Sequence, residues 1–98
     1  MARLDVYKLA NGRIVLDIQA TILERLATHV VVPLVPRDAT SPPISDLNPV
    51  FDIAGVPHVM LTHALASILA RELRYQVASL DRHHEAVTRA LDILLLGY

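Results

Sequence analysis

The chain has no cysteine, a single lysine (Lys8) and only three glycines, at positions 12, 55 and 97. Each shortage excludes something. Without cysteine there are no disulfides and no thiolate chemistry, a composition that fits a reducing cytoplasm. With one lysine and a net charge of −1, the basic footprint that grips phosphates is missing, so direct sequence-specific nucleic-acid binding is not expected. The three glycines each suit a turn or a helix stop and leave no glycine-rich phosphate loop. No run of about 18 apolar residues occurs, so no membrane span is expected. The opening MARLDVYK enters a strand-like pattern at once, unlike a signal peptide.

What is there is largely apolar. Apolar residues make up 53% of 98, high for so short a chain. That length supports one domain, residues 1–98, with a small core. The apolar excess implies a face turned to a partner, and a homodimer is the simplest way to cover it.

The last twenty residues, Ser79 to Tyr98, organise the rest. Leu80, Val87, Leu91 and Leu94 recur at helical spacing, with Ala86 and Ala90 between them. This predicts a helix of about four turns with one apolar stripe. Ser79 and Asp81 are N-cap types, Glu85 precedes Arg89 by one helical turn, and Gly97 is a natural stop. Leu96 breaks the pattern. Helical geometry places it with Arg89 and Asp92 on the polar face. An apolar side chain on the wet face, beside the aromatic Tyr98, marks a candidate contact tip; a single exposed leucine in a fraying last turn is the plain alternative.

Upstream, the chain reads as strands. Asn11-Gly12 between Leu4–Leu9 and Ile14–Ile18 predicts a hairpin. A two-residue turn would set Leu9 opposite Ile14 and Tyr7 opposite Leu16, all on one face, with Lys8, Arg13 and Asp17 elsewhere. Residues 20–28 form a connection in which the adjacent Ile22 and Leu23 cannot share a face. They form either a helical turn with one of them buried or a second apolar contact point. Val30–Leu34 is a strand whose Pro33 predicts an edge or a bulge. Residues 36–49 read as a long loop, disordered by default. Val50–Ile53 and Val56–Leu61 around Ala54-Gly55 predict a second hairpin, with Pro57 at an edge or a strand start. Residues 62–80 carry both helical spacing and a strand-like alternation. Strands followed by a terminal helix make an α+β fold, a small antiparallel sheet of about five strands with a C-terminal helix.

No catalytic constellation stands out. His83 and His84 are adjacent and diverge on a helix, and His58 and His63 are five apart, so neither pair has metal-ligand spacing. No cofactor is implied. No serine is marked as a nucleophile. These absences favour a protein that acts by binding.

The order of motifs resembles the CcdB family of toxins from bacterial toxin–antitoxin pairs. The matching pieces are Val6-Tyr7, LDIQ at Leu16–Gln19, VVVPL at Val30–Leu34, LNPVFDIAG at Leu47–Gly55, LTHALAS at Leu61–Ser67, VASL at Val77–Leu80, and the ending at Gly97 plus one residue. The resemblance implies a homodimer with a strongly twisted, barrel-like sheet. It implies a brief turn near His63–Ala66 followed by a strand. It also implies binding to the A subunit of DNA gyrase, trapping it on cleaved DNA, and neutralisation by a CcdA-like antitoxin. The family's tip, Trp-Gly-Ile, corresponds to Leu96, Gly97 and Tyr98. Its upstream Asn corresponds to Asp92 and its isoleucine pair to Ile22 and Leu23. Losing the Trp removes a large stacking surface, and Asp92 adds a charge. An RNA-cleaving toxin of the MazF kind is the alternative; it would draw on Arg13, Arg25 and Arg37 with Thr21 or Thr28. A non-toxic relative that no longer binds gyrase is a third reading.

Overall fold

The computed structural model describes residues 2–98. Seven strands form one antiparallel sheet: β1 (Asp5–Lys8), β2 (Ile14–Asp17), β3 (Thr28–Pro36), β4 (Val50–Ile53), β5 (Val56–Met60), β6 (Ala66–Leu69) and β7 (Tyr75–Ser79). The order across the sheet is β4-β5-β3-β2-β1-β7, with β6 beside the first half of β3. The sheet curls into a half-barrel, and the helix α1 (His84–Leu96) closes the chain. The α+β class is as expected. The strands number seven rather than about five because residues 62–80 supply two of them.

Both faces of the sheet are covered. Val6, Leu16, Val32, Leu34 and Met60 face one core, which α1 completes with Val87 and Ala90. Tyr7, Val15 and Val31, the alternating neighbours, face a smaller core closed by Leu73 and Ile68. This corrects the first hairpin. The register pairs Lys8 with Ile14, Tyr7 with Val15 and Val6 with Leu16. Leu9 accepts from the Gly12 N–H at 2.9 Å and donates to Arg13 at 2.8 Å. Ala10, Asn11 and Gly12 therefore make a three-residue loop with Gly12 left-handed at φ 87, a turn plus glycine bulge rather than a two-residue turn. A one-residue slip exchanges faces, so Tyr7 and Leu16 lie in opposite cores. The second hairpin has the expected two-residue turn. Ile53 pairs with Val56, and Ala54 and Gly55 both have positive φ.

Pro33 lies inside the sheet, not at its edge. Strand β3 has β2 along one side; on the other, β6 pairs with Thr28–Val31 and β5 with Leu34–Pro36. Pro33 falls where those two partners change over, and its carbonyl accepts from Leu61 N–H there. The ladder has a break where the proline has no donor to offer. Pro57 sits at the start of β5, as read from sequence.

The same strand explains why residues 62–80 are not helical. A helix there would leave the first half of β3, with Val31 buried, without ladder partners on one side. After a 3-10 turn at Thr62–Ala64, β6 supplies them, and a second turn at Ala70–Glu72 swings Leu73 under the smaller core. Residues 36–49 contain two further 3-10 turns, Arg37–Ala39 and Ser45–Leu47. The buried Asn48 ties this segment to the sheet: Nδ2 donates to the Met60 carbonyl at 3.1 Å, and Oδ1 accepts from Ile44 N–H at 3.0 Å.

Burial pushes the Tyr7 phenol above its usual 10.0, and the charges of Asp5 and Asp17 push the same way. Because the folded value is raised, the stabilisation from this group is complete below pH 10 and is lost as pH climbs through the folded value. Urea midpoints taken from about pH 8 to 11 should fall less steeply for Tyr7→Phe than for wild type. Parallel curves would refute the linkage.

Candidate functional site

The C-terminal helix begins later than its cap residues suggest. Ser79 Oγ accepts from Asp81 N–H at 3.3 Å and opens a 3-10 turn, Asp81–His83; α1 follows from His84. The His83 ring packs 5.1 Å from that of Phe51, joining the helix start to β4. Leu80, Val87, Ala90, Ala86 and Leu91 hold the helix on the larger core. At its far end Gly97 takes the left-handed conformation, φ 83, and donates to the Asp92 and Ile93 carbonyls, both at 3.1 Å.

Beyond the core contacts the helix end stands in solvent. Leu96 is 60% exposed and Tyr98 84%, and Leu95, which sequence reasoning did not single out, is 68% exposed. Asp92 and Tyr98 border one groove of about 520 Å³ with His84, Glu85, Thr88 and Arg89. The polar face thus carries an ion-rich groove ending in an apolar tip. Glu85 and Arg89 share the groove; among the described residues they make no ion pair.

Ile22 and Leu23 lie on a separate projection. The 3-10 turn Thr21–Leu23 buries none of its residues; Ile22 is 89% exposed, and Leu23 and Leu26 are exposed beside it. Of the two readings left open for the pair, the one that turns a member inward is not met. The main packing of α1 is against Ser45–Leu47 and Thr62–Ala64, not against Thr21–Leu23. Asp92 and Tyr98 therefore share a groove, while Ile22 and Leu23 form a second apolar point elsewhere on the chain.

Sequence reasoning missed what lies beneath that second point. Asp17, placed off the core face by the two-residue turn, is 1% exposed, and so is His29. His29 Nδ1 meets Asp17 Oδ2 at 2.9 Å, and His29 Nε2 donates to the Glu24 carbonyl at 3.0 Å. Asp17 Oδ1 accepts from Gln19 N–H at 3.0 Å. The available signal was Asp17 and Gln19 alternating within LDIQ, two polar residues continuing an apolar strand.

The three arginines that RNA cleavage would draw on, Arg13, Arg25 and Arg37, border three different grooves within one chain. Arg13 borders a groove with His58, Arg25 one with Arg71, and Arg37 one with Asp38. Among the described residues no group of His, Asp or Glu is placed to hold a metal, and no helix is long and apolar enough to cross a membrane.

Three solved structures share this fold. An endoribonuclease from mycobacterial species superposes with a TM-score of 0.78 at 15% identity, covering 97% of this chain and 90% of its own. An Mtb toxin gives 0.77 at 19% identity, covering 92% and 99%. The Mycobacterium tuberculosis toxin MazF-mt6 gives 0.73 at 18% identity, covering 94% of each chain. At such identities the likeness is one of fold. Comparison with curated proteins gives no match. The sequence profile of the CcdB protein family matches residues 3–97, nearly the whole chain. The chain belongs to the CcdB family, toxins of toxin–antitoxin systems.

Proposed function

We propose that this toxin binds the A subunit of DNA gyrase and traps it on cleaved DNA, acting by contact rather than by catalysis of its own. The observation that carries the reading is the exposed apolar tip, Leu96 and Tyr98 around Gly97, at the end of a helix whose other face is fixed to the core. A few apolar anchors beside a polar groove are the usual source of affinity at an interface. Asp92 at the groove and Ile22 with Leu23 on the second projection complete the proposed contact. A homodimer would double the sites and cover part of the apolar Leu69, Tyr75 and Val77, all exposed in the single chain. A CcdA-like antitoxin would release the enzyme.

The test uses purified gyrase and relaxed plasmid. The toxin should block supercoiling and leave protein-linked linear DNA. Intact supercoiling together with cut RNA would favour the MazF-like alternative instead. That alternative draws on the fold shared with an endoribonuclease; the dispersal of Arg13, Arg25 and Arg37 over three grooves weighs against it. Inert behaviour in both assays, with unimpaired growth of cells expressing the chain, would favour the non-toxic relative.

Gly97 separates tip geometry from stability. No atom lies within 4 Å of where a Cβ would sit, so Gly97→Ala meets only the backbone penalty of φ 83. That is about 1–2 kcal/mol, and the exposed helix end sheds it by leaving the left-handed conformation. Melting should shift by no more than a few degrees, whereas gyrase inhibition should weaken about tenfold as Tyr98 swings away. Unchanged inhibition would remove Gly97 from the proposed site.

A further inference from the structure

The segment that carries Ile22 and Leu23 has no apolar anchor. Every side chain from Ala20 to Thr28 is exposed, including three large aliphatic ones, Ile22, Leu23 and Leu26. Hydrophobic burial therefore does not hold its shape. Its own turn bonds are short-range: Leu23 N–H to the Ala20 carbonyl, Glu24 N–H to Thr21 and Leu26 N–H to Leu23. Isolated turns of this kind are unstable in water.

Two polar side chains at its base, Gln19 and His29, reach up into it, and a third, Asp17, holds both. Gln19 Nε2 donates to the Leu23 carbonyl at 2.9 Å and to the Thr28 carbonyl at 3.2 Å. Gln19 Oε1 is fixed in turn by Val30 N–H of β3 at 3.2 Å. His29 Nε2 donates to the Glu24 carbonyl, and Asp17 orients both partners, His29 through its Oδ2 and the Gln19 backbone through its Oδ1. Two of the three, Asp17 and His29, are buried. One polar base thus grips the segment at 23, 24 and 28, at and beyond the Ile22–Leu23 tip, while Arg3 N–H, donating to Thr21 Oγ1 at 3.1 Å, and Ala70 N–H, donating to the Ala27 carbonyl at 2.8 Å, hold its two ends.

From this we infer that Asp17, Gln19 and His29 are positioning residues that hold Ile22 and Leu23 in the shape in which a partner meets them. The binding half of this inference rests on the gyrase reading; the clamp itself does not. An apolar contact on a mobile segment loses affinity to the cost of ordering it, and pre-ordering removes that cost. Asp17 and His29 are also buried and partner each other; Gln19 is the member whose loss spares the core.

The test compares wild type with Gln19→Met, of similar size but without the donors and the acceptor. Amide exchange should quicken about tenfold or more at Leu23, Glu24 and Leu26, with both side-chain bonds to the segment and the one from Val30 gone, while the amides of β1 and β2 keep wild-type protection. Gyrase binding should weaken by about tenfold. In a background that already carries Ile22→Ala and Leu23→Ala, Gln19→Met should weaken it no further. Unchanged exchange over 20–28 overturns the clamp, and so does an equal loss of binding in both backgrounds. Should Gln19→Met fail to fold, Gln19→Glu, which keeps the acceptor for Val30 and loses the donors, gives the same exchange readout. Wild-type protein that leaves gyrase untouched would overturn the gyrase reading alone, since the exchange measurement judges the clamp without it.

Discussion

Removal of Leu96, Gly97 and Tyr98 is expected to abolish gyrase inhibition while leaving the fold in place. The two halves of that expectation have separate grounds. None of the three residues belongs to either core, and Leu96 and Tyr98 are largely exposed. The structural loss is the cap that Gly97 places on the Asp92 and Ile93 carbonyls, about 1 kcal/mol or less at a frayed helix end. For a domain of this size that is roughly 4–8 °C in melting temperature at most. The functional loss is larger. Burying a leucine at a contact is worth about 1.5–3 kcal/mol, and a central tyrosine adds about 2 or more. Together they approach a thousandfold in affinity. Supercoiling assays beside thermal melts separate the two effects. A truncated protein that still poisons gyrase would place the site elsewhere; one that no longer folds would mean that the tip is structural.

The features legible in the sequence were those where a local signal had a single reading. Ala54-Gly55 between two apolar runs marked the second hairpin and its two-residue turn. Leu96 stood out because it breaks the stripe of its helix, and the pair Ile22-Leu23 because neighbours cannot share one face; all three are exposed in the structure. Asn11-Gly12 marked the hairpin but not its register: the two-residue turn read there is a three-residue loop, for a physical reason. With apolar residues on both faces of β1 and β2, a register slip of one residue still buries every side chain, so the alternation does not choose between a two-residue and a three-residue loop. The same two-sided burial hid Asp17. A strand with one wet face puts its polar residues outside; here the second face is also a core, and Asp17 is buried with His29 as its partner from the next strand. Residues 62–80 were undecided because helix propensity is local, whereas the need for β6 arises from unpaired backbone on β3, more than thirty residues upstream.

The Asp17–His29 pair carries the second large effect, and it separates stability from positioning. His29→Ala leaves the Asp17 carboxylate buried, still accepting from Gln19 N–H but without the ring donor, and opens a cavity beside it. Breaking a buried pair in this way costs about 3–5 kcal/mol, a large part of the roughly 5–15 kcal/mol that holds a domain together. The melting temperature should drop by more than about 12 °C. Replacing both members, Asp17→Val with His29→Leu, removes the stranded charge along with the pair. Apolar replacement of a buried pair is often neutral or stabilising, and Val15 and Val31 already line that face. The double variant should therefore melt much closer to wild type than His29→Ala does. It should still bind gyrase more weakly than wild type, because the Glu24 carbonyl has lost the His29 donor and Gln19 its orienting carboxylate. Stability regained without binding would assign the pair to holding the Ile22–Leu23 projection. A double variant as unstable as the single one would show that the fold itself needs the polar pair. One that is both stable and fully active would leave the pair without a role in recognition.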